Sequence, residues 1–583
     1  QNYNFGLNWK PFKNWTFRSE FGYGWRYEDT EQYWGTDAVS NSKYGYNGRP
    51  QAYLLRETTK NWRNANTLTY ENKKMFDGRD RLNVLVGHEV SSSMEESIEN
   101  VSVNFPTTMG FEDMKANMGA GTALPNQSTI SAEENMLSFF GRVNYTMMDK
   151  YLLTVTVRAD GSSKFGDGNR WGVFPSAALA WRINEESFMA NTSGWLDNLK
   201  LRLGFGKTGN SAVDPYQTKG TLSLIRYPFD NGGTPTIGYA PNAMANSLLT
   251  WETTDQWNLG IDFGVLRGRI NGTIDLYMQN THDLLLKRQL PVVSGFPDVL
   301  SNVGKTRNKG IEVSINSMNI NTKDFQWTTD LMLSSNKEEI VELYNGKNDD
   351  IGSKWFIGQP VNVHYDYHKV GIWQNTEADL AEMAKFAANG TDFAPGDIKI
   401  EDVNNDYKIT DADKQILGNP RPKLIASMVN TFNYKGFDLS VFLYASFGAM
   451  LYNDIYAVEH CGRNGGVKVD YWTPNNPTNA YPRPSIDEER PIYITSTYYE
   501  KADFLRVKTM TMGYTLPKSL TQKFMVEKLR VYFTAQNPFI FTNYTGIDPE
   551  AAKVNAAGNP ETNGSGFGTP SISSWIFGIN LTL

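Results

Sequence analysis

Six residues in one short stretch have the types and spacing to hold a metal ion. Asp402, Asn404, Asp406, Thr410 and Asp413 place side-chain oxygens at positions 1, 3, 5, 9 and 12 of a loop, and Lys408 offers its backbone carbonyl at position 7. That is the EF-hand spacing, which wraps oxygens around Ca²⁺. Two features depart from it: position 6 is Tyr407 where the sharp turn asks for glycine, and position 12 is Asp413 where the usual ligand is a bidentate Glu. The competing reading is an Asx-rich turn tied down by side-chain-to-backbone hydrogen bonds. Both stand at this level. The Ca²⁺ reading is of a structural ion that orders an outer loop.

Other candidate chemistry is weaker. His364 and His368 are four residues apart, but no HExxH surrounds them and the flanks read as strand, so loop packing is the favoured role. His460 and Cys461 are neighbours, whose side chains rarely converge on one ion. Gly206-Lys207-Thr208 and Gly304-Lys305-Thr306 resemble Walker fragments, yet Leu201 and Val299 stand where the upstream glycine belongs. Arg142, Arg158 and Asp160 suggest a catalytic cluster until their alternating positions are counted; they share a polar strand face and are expected to line a wet interior. With five His and no nucleophile motif, the chain reads as a non-enzyme. Nine loop aromatics (Trp355, Tyr365, Tyr367, Trp373, Tyr471, Trp472, Tyr481, Tyr498 and Tyr499) have faces suited to sugar rings, with loop packing as the more ordinary role for any one of them.

The elements that must position these residues are strands. Trp15 to Tyr27 is apolar or aromatic at almost every odd position and polar or glycine at almost every even one. A two-residue period of that length, with aromatics at its ends, suits a tilted strand crossing a bilayer. About seventeen such segments follow one another, many in pairs. Tyr3–Lys10 joins Trp15–Tyr27 through 11–14, Met136–Met147 joins Tyr151–Asp160 around Asp149, and Gln256–Val265 joins Ile270–Met278 at Arg267-Gly268. Ile311–Asn316 precedes Phe325–Leu333, and Leu424–Tyr434 joins Phe437–Ala445 across Lys435-Gly436. Long stretches at 29–61, 91–135, 207–254, 336–420, 451–502 and 537–572 read as loops. Tight turns alternating with long connections are the pattern of a membrane barrel. A helix inside 336–420 is expected to be capped by Asn375 or Thr376 and stopped by Asn389-Gly390.

Bulk properties agree. At 583 residues the chain exceeds one ordinary soluble core, and mean hydropathy is −0.48 with no 18-residue apolar run, which excludes a helical membrane protein. The net charge of −7 and the lack of a basic run argue against nucleic acid as a partner. One cysteine excludes an intrachain disulfide framework. Gln1 opens inside a strand, so the chain reads as an N-terminally truncated fragment. Strand parity fits about 17 strands of a 22-stranded barrel, the size of plugged outer-membrane transporters.

Four stretches then carry a resemblance: LSFFGRVNYTMMDKYLLTVTVRADGSSKFGDGNRWGVFPSAALAWRINEESFM (137–189), LSNVGKTRNKGIEVSIN (300–316), PGDIKIEDVNNDYKITDADKQILGNPRPK (395–423) with KGFDLSVFLYASFG from Lys435, and NYTGIDPEA (543–551). The chain resembles the SusC/RagA-like TonB-dependent transporters of the bacterial outer membrane. The resemblance implies an all-β transmembrane antiparallel barrel with long extracellular loops, of which residues 1–583 form the C-terminal part, the plug lying outside this chain. It also implies energy drawn through the TonB complex, outer-membrane lipid around the wall, and a SusD-like surface lipoprotein as lid. The implied cargo is nutrient oligomers, typically oligosaccharides and in some members peptides. Two departures stand out: the last residue is Leu583 where an aromatic is usual, and Pro538 interrupts a strand end. A passive porin and a soluble carbohydrate-binding β protein remain the alternatives, the first marked by open conductance, the second by independence of detergent.

Overall fold

A computed structural model of the chain describes residues 1–37, 48–76, 78–124, 127–131, 133–227, 236–453, 468–484, 491–550 and 571–583. Among these described residues, one antiparallel sheet holds nineteen strands. Two of them, Thr122–Ala123 and Gln127–Ile130, are short additions beside Asp80–Val103, which leaves seventeen long ones.

Glu134–Met147 and Tyr151–Ser162 show why the sheet forms. Their alternation puts Val143 opposite Val155 on one face and Asn144 opposite Thr154 on the other. Met148 and Asp149, at φ 52° and 55°, stand at the centre of a three-residue connection in which the Lys150 N–H donates to the Met147 carbonyl at 3.0 Å. Trp171–Arg182 adds the next strand, with Val173, Ala177 and Leu179 continuing the apolar row beside Ala159, Val155 and Leu153. That row ends in aromatics at both ends. Tyr151 stacks on Trp181, and Phe139 on Trp171. Ten residues separate Trp171 from Trp181, about 33 Å along a strand. Tilted by about 40°, that length spans about 25 Å, the height of a barrel's apolar band.

Strands run further than alternation indicates. Trp15–Trp34 pairs with Gln51–Met75 from Trp15↔Tyr70 to Trp34↔Gln51, so much of the expected loop 29–61 is strand. Asp80–Val103 likewise takes in the first part of the expected loop 91–135, and Phe325–Glu342 the first part of 336–420. Where both faces meet water the apolar side disappears, as in Glu28 to Gln32, while backbone pairing continues unchanged. The chain between 207 and 254 also contains a hairpin, Thr221–Tyr227 with Thr236–Ala243. Pro538 does not end its strand. Lys528–Thr542 carries on past it because the register shifts at Val507/Thr509, leaving Asn537 (φ 46°) and Pro538 in a bulge where no ladder donor is needed.

The chain divides into two compact units. In the first (1–182, 202–257, 280–305), small cores gather around Phe165, Leu249 and Trp251, and around Ala52, Phe105 and Met114. In the second (183–201, 258–279, 306–583), the cores lie in the connections and the strands keep an exposed apolar row. Met512, Phe577, Val531 and Ile579 belong to that row, with Phe533 half-buried between Met512 and Phe577.

Candidate functional site

In the first unit the polar strand face carries alternating charges. Thr154 Oγ1 donates to Asn144 Oδ1 at 2.9 Å, while its neighbour Val155 is 38% exposed on the apolar row. Arg158 Nε lies 2.6 Å from Asp160 Oδ1, and a terminal guanidinium nitrogen donates to Ser138 Oγ at 2.8 Å and stands 3.9 Å from Glu89. Glu89 in turn pairs with Arg63 at 2.5 Å. Arg63, Glu89, Arg158 and Asp160 thus form a ladder of alternating sign that belongs against water, not hydrocarbon. Arg142 stands opposite Thr156 and is exposed, so it takes no part in a catalytic trio. Lys207 sits in the strand Leu196–Asn210, 3.3 Å from Asp255, and forms no phosphate cradle. A concavity of about 810 Å³ on this unit is lined largely by Asn, Ser and Gly, with Glu20, Arg63, Glu134 and Lys164.

In the second unit the long connections build a small module with its own core. Helix Glu377–Ala388 starts at Thr376, whose Oγ1 accepts from the Asp379 N–H at 3.2 Å, and ends at Gly390 with φ 88°. Its Met383 and Phe386 pack on the fully buried Trp373. Lys399 Nζ lies 4.0 Å from the Trp373 ring centre and 3.1 Å from Asp379. Ile372, Ile398 and Ile400 form a second core with Trp472, Ile494 and Tyr498. Three aromatics with the chemistry to stack on sugars, Trp373, Trp472 and Tyr498, are therefore interior. Tyr365 packs on Phe356, and Tyr367 packs on Tyr493 while donating to Asp411 at 3.3 Å. Burial, reinforced by Asp411, pushes the Tyr367 phenol up to about 12. Tyr499 donates to Asp366 at 3.0 Å, and burial raises it too. Trp355 and Tyr481 are half-buried, and Tyr471 alone of the nine is exposed.

The histidine pair separates. His364 is buried with Nε2 2.8 Å from the Met450 carbonyl, and that burial depresses its pKa. His368 Nδ1 lies 2.7 Å from Glu401 Oε2, which holds Glu401 below the usual carboxylate range. His460 and Cys461 lie outside the described residues.

The loop 402–413 brings its first three oxygen donors together. Asp402 accepts from the N–H groups of Asp406 (3.2 Å) and Tyr407 (2.8 Å), and Asn404 Oδ1 accepts from the Asp406 N–H at 3.0 Å. Tyr407 adopts φ 57°, so the left-handed turn assigned to glycine is made without one. Asp413, fully buried, accepts from the Val403 N–H at 3.0 Å and the Thr410 N–H at 2.7 Å. Lys408 donates its N–H to Asp406 Oδ1 at 2.8 Å. Among the described residues, no group of three or more His, Cys, Asp or Glu forms a cluster placed to hold a metal ion.

Sequence reasoning missed one buried ion cluster. Arg506 pairs with Asp548 at 2.5 Å and has Nε 2.6 Å from Glu550, which also takes Lys508 at 2.6 Å. Burial alone would raise the Asp548 pKa. The N–H groups of Glu550 and Ser571, together with Arg506, hold it down instead. This clamp ties the NYTGIDPEA stretch to the strand Phe504–Thr515. The available signal was Arg506 and Lys508 on one polar face, followed by the acid pair around Pro549.

Comparison with known proteins agrees with this geometry. The model of the TonB dependent receptor-like, beta-barrel family matches residues 1–537. TonB-dependent receptor P26 of Formosa agariphila is 30% identical over 598 residues, covering 99% of this chain and 59% of that protein. TonB-dependent receptor SusC of Bacteroides thetaiotaomicron is 35% identical over 444 residues, covering 73% and 42%. The chain therefore spans about half the length of these relatives. The RagAB peptide transporter structure superposes with a TM-score of 0.80 at 24% identity, covering all of this chain and 61% of that one, a likeness of fold. The alternating wall, its aromatic ends and the family match give one conclusion: the chain belongs to the TonB-dependent receptor-like β-barrel family.

Proposed function

We propose that this chain is the barrel portion of an outer-membrane importer that takes up nutrient oligomers, drawing energy through TonB and working with a SusD-like surface lipoprotein. The observation that carries the reading is the pair of faces on residues 134–182. Apolar side chains lie between aromatics about 33 Å apart along the strand, a height of about 25 Å at a barrel strand's tilt, and the reverse face holds the Arg63–Glu89–Arg158–Asp160 ladder. A soluble sugar-binding protein has no use for such an outer row. A family of receptors and transporters favours transport over catalysis. Oligosaccharides are the first cargo class and peptides the second, in line with the resemblance to SusC and RagA.

Deleting the gene and measuring uptake of fluorescent oligosaccharides and peptides tests this. Uptake that falls with the deletion and with loss of TonB supports active import. Uptake that persists without TonB supports the passive porin. For the loop 402–413 we propose a structural Ca²⁺ held by Asp402, Asn404, Asp406, Thr410, Asp413 and the Lys408 carbonyl. The left-handed Tyr407 supports this by supplying the turn the coordination needs. Faster proteolysis of 395–423 in EGTA is the expected outcome, and identical digestion with and without chelator removes the ion.

A further inference from the structure

A second cavity, of about 640 Å³, opens on the loop module beside the strands Lys369–Ile372 and Lys414–Gly418. Its volume falls within the range of small-molecule sites, about 300–1,000 Å³. Among the described residues the lining holds two basic side chains, His368 and Lys369, and no acidic one, in a chain whose net charge is −7. His368 is matched by Glu401, whereas the hydrogen bond made by Lys369 Nζ goes to a neutral group, the Ala480 carbonyl at 2.5 Å. An ammonium has three donors, so two remain without a partner among the described residues. Burial pushes Lys369 down to about 8, as expected of a cation removed from water without a counter-charge.

The neighbouring groups define what completes the site. Asn479 Oδ1 already accepts from the Ile372 N–H (2.9 Å) and Gln374 Nε2 (3.3 Å), which leaves the donating amide nitrogen. Ser496 and Thr497 spend their hydroxyl protons on the Tyr493 and Ile494 carbonyls, at 2.7 and 2.6 Å, and keep acceptor capacity. Val370, half exposed, supplies an apolar ledge. Donors for an anion, acceptors for hydroxyls and a flat apolar contact match a sugar ring bearing a carboxylate.

We propose that this cavity is a subsite for the uronate residue of an acidic oligosaccharide, with Lys369 and Asn479 taking the carboxylate and Ser496 and Thr497 accepting from ring hydroxyls. The assignment rests on the import reading and deepens it to a cargo class. Calorimetry on the full-length transporter in detergent tests it with three probes: a galacturonate trimer, a neutral glucose trimer and a glutamate tripeptide. The galacturonate trimer is expected to bind, Lys369→Met to weaken it tenfold or more, and Lys369→Arg to stay within threefold of the parent. Asn479→Asp, which keeps the acceptor and removes the donor, is a second variant expected to lose at least tenfold, and a gel shift on boiling verifies that each variant is folded. Equal galacturonate binding by the parent and the folded variants overturns the proposal. So does absence of galacturonate binding, or a Lys369-dependent preference for the tripeptide. Uptake of neutral oligomers that persists although the galacturonate trimer does not bind leaves the import reading standing while this subsite falls.

Discussion

The strands of residues 134–182 and the loop module around Trp373 use similar apolar residues under opposite rules. In the strands Val155, Val157, Val173 and Leu179 stay exposed and polar partners face each other on the reverse side. In the module Trp373, Ile372, Ile398 and Phe386 are sequestered, and the buried Asp413 is held by backbone N–H groups. The difference is one of solvent. A wall bathed in hydrocarbon needs no internal core, because lipid covers its apolar row. A connection surrounded by water must bury its own apolar surface, and so it folds as a small domain of its own.

Several changes would break or sharpen that contrast. Arg506→Met leaves Asp548 buried and unpaired and should cost about 3–5 kcal/mol; thermal unfolding reads it, and adding Asp548→Asn should restore part of the loss. Trp373→Ala should cost about 3–5 kcal/mol, but locally. Limited proteolysis should open residues 343–423 while the boiling-dependent gel shift persists, and loss of both would show that wall and module are not independent. Val155→Arg should cost roughly 2–4 kcal/mol near mid-membrane, with Thr154→Arg tolerated; equal effects in urea titrations would remove the assignment of faces. His364 gives a pH arm. Its folded pKa is depressed, so its contribution is complete above the unfolded value of about 6.5 and is lost as pH falls through the lower folded value. Hydrogen exchange in the module should quicken at acidic pH, and His364→Gln should flatten that response. Tyr471→Ala should change stability by less than about 0.5 kcal/mol, as an exposed site does.

Much of the wall was legible because it obeys a short-range code. Alternation located the pairs, the turns around Asp149 and across Lys435-Gly436, and the exposed apolar row through Val155. Thr376 and Gly390 marked the helix ends. What escaped depends on distance or on water. Trp15–Trp34 outruns its alternation because a strand in water on both sides needs none. Arg506 and Asp548 are 42 residues apart, and no local pattern announces their pairing. Trp373 and Tyr471 look alike in sequence; only the packed helix tells the interior ring from the exposed one. In the loop 402–413, Tyr407 shows that a missing glycine does not forbid a left-handed turn.

The two aromatic pairs, Phe139 with Trp171 and Tyr151 with Trp181, set a parity rule on the gene. Removing one codon between Trp171 and Trp181 would swap the oily and wet rows over the remainder of that strand. Removing two would keep the rows and shorten the belt by about 5 Å, taking 3.3 Å per residue and the same tilt. Insertions and deletions in this wall are therefore filtered in twos, whereas the connections can change length one residue at a time.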